Sequence, residues 1–159
     1  MGQEIDQHTD FRRQVTAVWI DGVDAAAFQA AGGQAVANYD SVATVAGGEN
    51  ICKTAVDAFG KVDILVNNAG ILRDMTLIKT DEASWDIVVQ VHLKGTYCVT
   101  RPVFTHMKER GQGGVIVNVS SRAATRGGGG EFVDYAMSKA AVDALTIGLA
   151  HEVSSDGIR

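Results

Sequence analysis

The sequence predicts an α/β fold built on a doubly wound parallel sheet, and three observations predict it. Short apolar, β-prone runs alternate with stretches of helical periodicity in the order β-α-β-α-β-α-β-α. Residues 62–66 and 115–119 are nearly uninterrupted apolar runs, the pattern of parallel strands buried on both faces. The 18 glycines among 159 residues, about 11% against a usual ~7%, fall at the ends of these segments rather than in a repeat.

Each element follows from its residues. Residues 15–20 are β-prone and end at Asp21-Gly22, a turn pair. Residues 24–31 are alanine-rich and predict a short helix stopped by Gly32-Gly33. Residues 35–39 predict a second strand. In residues 49–59, Ile51, Ala55, Val56 and Phe59 recur at helical spacing, and Gly60 closes the helix. The strand over 62–66 leads into Asn67-Asn68-Ala69-Gly70. Thr80 offers an N-cap, with Asp81 and Glu82 in a first turn where carboxylates favour the helix dipole. That helix runs from 81 to 108, turns Trp85, Val88, Val89, Val91 and Leu93 inward, and bends near Pro102. Gly113-Gly114 opens the strand at 115–119. A polar, glycine-rich loop over 120–130 precedes a last helix over 133–153.

Composition narrows the function classes. The length suits one domain with its own core. A net charge of −5 with no basic stretch argues against nucleic acid. No run is long and apolar enough to span a membrane, and residues 1–13 lack the apolar centre of a secretory signal. Residues 1–14 read as a poorly ordered segment ahead of one unit over 15–159. Cys52 and Cys98 have neither metal nor redox spacing and read as small buried thiols in a cytoplasmic setting. No metal site is expected.

In a parallel α/β sheet ligands collect at the carboxyl ends of the strands. Two of those ends carry polar chemistry, Asn67-Asn68 and Ser120-Ser121. Tyr135 and Lys139 follow, four residues apart on one helix face and within reach of each other. A phenol is a poor base at neutral pH, and a nearby ammonium favours its phenolate form. Such a pair moves a proton onto or off a substrate oxygen, and Ser121 could donate a hydrogen bond to that oxygen. Taken alone, Tyr-x-x-x-Lys is a weak signal whose structural alternative is a solvated lysine beside a half-buried tyrosine.

Three motifs in order give the weight: Asn67-Asn68-Ala69-Gly70, Asn118-Val119-Ser120-Ser121 and Tyr135-Ala136-Met137-Ser138-Lys139. Over residues 32–159 the chain resembles a short-chain dehydrogenase/reductase. The resemblance implies a Rossmann-like sheet and hydride transfer between NAD or NADP and a carbonyl or secondary alcohol, without metal. It makes Tyr135 the general acid/base, Lys139 the group that tunes it and holds the nicotinamide ribose, and Ser121 the catalytic serine. Ser121 lies 14 residues before Tyr135, one more than the commonest family spacing. Asn67, Ala69 and Gly70 would pass along the adenosine ribose and help hold the sheet. Asp40 would face the adenine, and Ser41 and Val42 would complete its pocket. The resemblance also implies a homo-oligomer formed through the helices at 81–108 and 133–153.

The stretch from Val66 to Asp74, with Trp85-Asp86 and Val91-His92-Leu93-Lys94-Gly95, further resembles the 3-hydroxyacyl-CoA dehydrogenase domain of multifunctional enzymes. This points to a small-molecule alcohol or carbonyl substrate, acyl-CoA or steroid-like. Many members carry Asn where this chain has His92; a histidine there either supports the proton relay to the lysine or is a packed helix residue.

Two expected features are missing. The family's Thr-Gly-x-x-x-Gly-x-Gly phosphate-binding turn does not occur, and Gly127 to Gly130, which reads as a flexible loop, is no substitute. Residues 15–21 could stand for the family's second strand. Asp21 would then be the ribose-binding acid, or else an exposed turn aspartate. The sequence ends at Asp156-Gly157-Ile158-Arg159, where the family continues into further strands. The expected fold is therefore an incomplete Rossmann-like sheet that lacks the first strand with its glycine turn and the C-terminal strands. Weak cofactor binding and impaired turnover follow from that reading. Its rival is a non-catalytic scaffold or dimerisation module.

Overall fold

The computed structural model describes residues 16–20 and 23–159, with side chains described from Ala25 onward. The 1–14 segment and Asp21 lie outside the described residues. The elements alternate as β1 (Thr16–Ile20), α1 (Val23–Ala30), β2 (Gln34–Asn38), α2 (Val45–Phe59), β3 (Ile64–Asn67), α3 (Glu82–Val89), a π-helical turn (Gln90–Lys94), α4 (Gly95–Arg110), β4 (Val115–Asn118), α5 (Ala123–Arg126) and α6 (Val133–Val153). β1 pairs with β2 and β3 with β4, both in parallel, with Asn67 in register with Asn118. On the other edge of β4 the chain returns, and Gly114 bridges Ile158 in parallel.

Several boundaries follow different residues from those the sequence suggests. α2 starts at Val45, because the Thr44 hydroxyl accepts from the Gly47 amide at 3.0 Å and caps it. The cap of α3 is Asp81, not Thr80: its carboxylate accepts from the Ser84 amide at 2.7 Å, while the Thr80 hydroxyl bonds back to Thr76 O. That amide bond holds the Asp81 carboxyl below its usual range. The long helix expected over 81–108 is three segments, and its irregularity sits at Gln90–Lys94 rather than at Pro102, through which α4 runs unbroken. The loop over 120–130 contains α5, and Gly127, Gly129 and Gly130 all take positive φ values there. At those three positions a side chain would be strained, which is where the backbone requires glycine.

The strands at 64–67 and 115–118 correct a second expectation, that both faces would be buried. Leu65 and Ile116 turn toward α4 and α6 and join Val103, Met107 and Val153 in the main core cluster. On the opposite face Ile64 is 62% exposed, Val66 54% and Val117 43%. Among the described residues, α4 and α6 pack against the face that carries Leu65 and Ile116, and strand residues alternate between faces. Arg110 ties the bottom of this layer together by donating to Val62 O and Gly113 O while pairing with Asp63. Cys52 and Cys98 are free thiols buried in the interior, and burial raises the Cys52 thiol above its ordinary value.

Candidate active site

β3 and β4 deliver their ends to one edge, where α6 and the π-helical turn meet. Asn67 is committed to bracing that edge. Its amide donates to Thr100 Oγ1 and to Asn118 Oδ1, each at 2.8 Å, and Asn118 in turn donates to Thr146 Oγ1 on α6 at 2.8 Å. The chain then passes Ala69 and Gly70. A Cβ on Gly70 would stand 2.6 Å from His92 Cε1, so the glycine is what admits the imidazole.

Tyr135, Lys139 and Ser121 are brought together. Tyr135 and Ser121 line one open cleft of about 290 Å³ with Leu72, Ala123 and Phe132. One turn along α6, Lys139 is 5% exposed. Its amine donates to Val119 O at 2.5 Å and lies 5.8 Å from the centre of the Tyr135 ring. Burial pushes its pKa below the ordinary lysine value, opposed by the Asp143 carboxylate one turn further on. Ser121 Oγ accepts from the Ala123 amide at 3.1 Å, which fixes the hydroxyl at the mouth of α5.

His92 belongs to the same cluster. It is 3% exposed and meets the Tyr135 ring edge-on, with ring centres 5.0 Å apart. Its Nε2 faces both polar groups of Ile71, at 2.7 Å from the carbonyl and 3.1 Å from the amide, so the tautomer decides which bond forms. Burial holds the ring below its ordinary pKa. The Ile71 bond and Asp134 oppose that shift, and the Lys139 charge adds to it.

Three further residues of this region carry no sequence signal. Asp134 is 2% exposed; one carboxylate oxygen accepts from the Tyr135 amide at 2.8 Å and the other has no partner among the described residues. Ser138 Oγ and His92 Nδ1 are likewise buried without partners among the described residues. Phe132 takes a left-handed conformation, φ 86°, just before α6, and its amide donates to Met75 O at 3.3 Å. A non-glycine residue held there is a strained conformation on the wall of this cleft. No sequence pattern reveals these groups, since each acquires its meaning only through neighbours distant in the chain.

Asp40, Ser41 and Val42 follow β2, at the carboxyl end of the other strand pair. The Asp40 carboxylate accepts from the Asn50 amide group, and Ser41 Oγ accepts from the Ala43 amide. Val42 is buried with Ile51 and Val99 in a second core cluster. Among the described residues no cluster of His, Cys, Asp and Glu could hold a metal ion, and no helix is long and apolar enough to cross a membrane.

Residues 13–159 match the family model described as short chain dehydrogenase. The chain is 47% identical over 130 residues to peroxisomal multifunctional enzyme A of Dictyostelium discoideum, covering 82% of this chain and 28% of that protein. It is 39% identical over 155 residues to a (2S)-((R)-hydroxy(phenyl)methyl)succinyl-CoA dehydrogenase subunit of Thauera aromatica, covering 93% of this chain and 61% of the relative. Its backbone superposes on a crystal structure of a short chain dehydrogenase from Mycobacterium avium with a TM-score of 0.80 and 36% identity, over 84% of this chain and 47% of that one. The chain thus spans about a quarter to three fifths of the length of these relatives.

Proposed function

The chain belongs to the short-chain dehydrogenase family, and from that premise we propose that it carries the proton-transfer site of an NAD- or NADP-dependent oxidoreductase interconverting a secondary alcohol and a carbonyl. The observation that carries the reading is that Ser121 and Tyr135 line one cleft while Lys139 and His92 stand against the Tyr135 ring. The Tyr135 hydroxyl gives its proton to the carbonyl oxygen during reduction and takes it back during oxidation. Ser121 donates a hydrogen bond to the same oxygen as negative charge develops on it. The Lys139 ammonium, held by Val119 O, stabilises negative charge on the phenol oxygen. His92 stands behind the tyrosine ring with one nitrogen on Ile71 and the other without a partner among the described residues, which supports a relay of protons toward the lysine.

The residues present fit a dinucleotide at its ends. Tyr135 and Lys139 would hold the nicotinamide ribose; only one of the three Lys139 N–H donors is used by a protein group among the described residues. Ala69 and Gly70 after β3, and Asp40, Ser41 and Val42 after β2, lie at strand carboxyl ends, where the adenosine half would pass. Both Asn67 amide donors are used inside the fold, so Asn67 would contribute by bracing the edge. When bound, the cofactor supplies or accepts the hydride.

The succinyl-CoA in the name of the Thauera relative supports an acyl-CoA thioester as the substrate class; the reading treats residues 15–159 as one partial Rossmann-like unit acting in the cytoplasm. A second reading, a scaffold that associates through the helices at 81–108 and 133–153, has its own support. Tyr97 and Ile147 are exposed, and an apolar groove between α4 and α6 is lined by Tyr97, Phe104, Leu145 and Leu149. Tyr135→Phe separates the two. The catalytic reading expects carbonyl reduction with NADH or NADPH to fall about 10²–10⁴-fold while the folded state is kept. Unchanged turnover rejects it.

A further inference from the structure

The cleft that holds Ser121 and Tyr135 contains a feature that proton transfer does not use. Two arginines, Arg122 and Arg126, line it together with the apolar side chains of Leu72, Ala123 and Phe132. Arg122 precedes α5 and Arg126 ends it, so their four-residue spacing places both on one side of a single helical turn. Both are exposed. Among the described residues neither guanidinium takes part in an ion pair or a side-chain hydrogen bond. Elsewhere Arg110 is committed to Val62 O, Gly113 O and Asp63, and Arg73 to Leu72 O.

Two like charges at this spacing repel each other, and among the described residues no carboxylate forms an ion pair with either. A neutral ketone would gain nothing from such a wall. A guanidinium, by contrast, presents a fixed fork of donors that matches carboxylate and phosphate oxygens. We infer that Arg122 and Arg126 form a clamp for an anionic group on the substrate, either a carboxylate or the phosphates of an acyl thioester. The substrate's apolar part lies along Leu72, Ala123 and Phe132, and its carbonyl reaches Ser121 and Tyr135. The inference rests on the reading of Ser121 and Tyr135 as the carbonyl site, and it assigns the residues that select the substrate's charge.

Calorimetric titration of the intact chain with three probes tests it: 4-oxopentanoate for the carboxylate, acetoacetyl-CoA for the phosphates, and the neutral acetoacetyl-N-acetylcysteamine thioester. At about 20 mM salt, at least one anionic probe binds roughly tenfold or more tighter than the neutral one, and the advantage shrinks at about 0.5 M salt. The double variant Arg122→Gln/Arg126→Gln loses about tenfold for that probe and nothing for the neutral one. Arg101→Gln, in the groove between α4 and α6, changes neither. The anionic probe that responds identifies the source of the charge. No anion preference, an equal loss for charged and neutral probes, or the same loss in Arg101→Gln overturns the clamp. Tyr135→Phe keeps the anion binding while losing turnover. If it keeps turnover, the proton-transfer reading fails on its own and the binding comparison still judges the clamp.

Discussion

His92 shows how much a single side chain is asked to do in this site. It fills the space that Gly70 leaves, faces both polar groups of Ile71 and stands edge-on to Tyr135, all at 3% exposure. Its lowered pKa has a consequence for stability whose sign follows directly. Below roughly pH 6.5 an unfolded chain takes up a proton at this ring, while the buried ring of the folded chain resists it. Stability therefore falls as pH falls through that window, until the folded ring protonates as well, with a slope of up to about 1.4 kcal/mol per pH unit from this group. His92→Asn removes that contribution. Urea unfolding of both proteins between about pH 5 and 7 checks it: the variant's profile should be flatter than the parent's, and parallel profiles would show that the ring titrates alike in both states. The placement of Tyr135 beside Lys139, and of Ser121 near the same strand end, was legible from sequence because a four-residue helical spacing and a strand end are local facts. Asp134 and Ser138 were not, since burial without a partner is a property of the packed α6 face.

At the level of elements, the interruption of the long helix is the informative departure. Apolar residues recur at helical spacing straight through Gln90–Lys94, so hydrophobic periodicity carries no trace of the π-helical turn that seats His92. Pro102 has a different consequence from the bend that its type suggests. Lacking an N–H, it cannot bond the Cys98 carbonyl one turn before it. That carbonyl instead faces α2, where a Cβ on Gly48 would lie only 2.1 Å from its oxygen. The glycine in α2 and the proline in α4 therefore form one packing solution that lets the two backbones approach closely. Gly48→Ala forces the helices apart and costs about 1–3 kcal/mol, despite alanine's better helix propensity. The expected readout is a melting temperature lower by roughly 2–4 °C per kcal/mol. An unchanged or raised value would mean that the contact is loose enough to yield.

At the scale of the whole molecule, the alternation of β and α segments was readable because each strand and helix carries its own period. What was not readable is which faces would be covered. The apolar runs at 62–66 and 115–119 resemble strands buried on both sides, yet Ile64, Val66 and Val117 look outward while Leu65 and Ile116 look into the helices. Neighbouring substitutions should separate the two faces: Leu65→Ala costs about 2 kcal/mol or more, and Val66→Ala less than about 1 kcal/mol. Equal losses in urea unfolding would show that both faces are packed. The same sheet brings the ends of β3 and β4 to the cleft of Ser121 and Tyr135, and the account stands or falls there. The most direct measurement supplies NADH or NADPH deuterated at C4 of the nicotinamide together with a carbonyl substrate, and follows the label by mass spectrometry. The account predicts deuterium on the carbinol carbon of the product with the intact chain, and transfer about 10²–10⁴-fold slower with Tyr135→Phe. Equal label transfer by both proteins, or no transfer from either face of either cofactor, would contradict it.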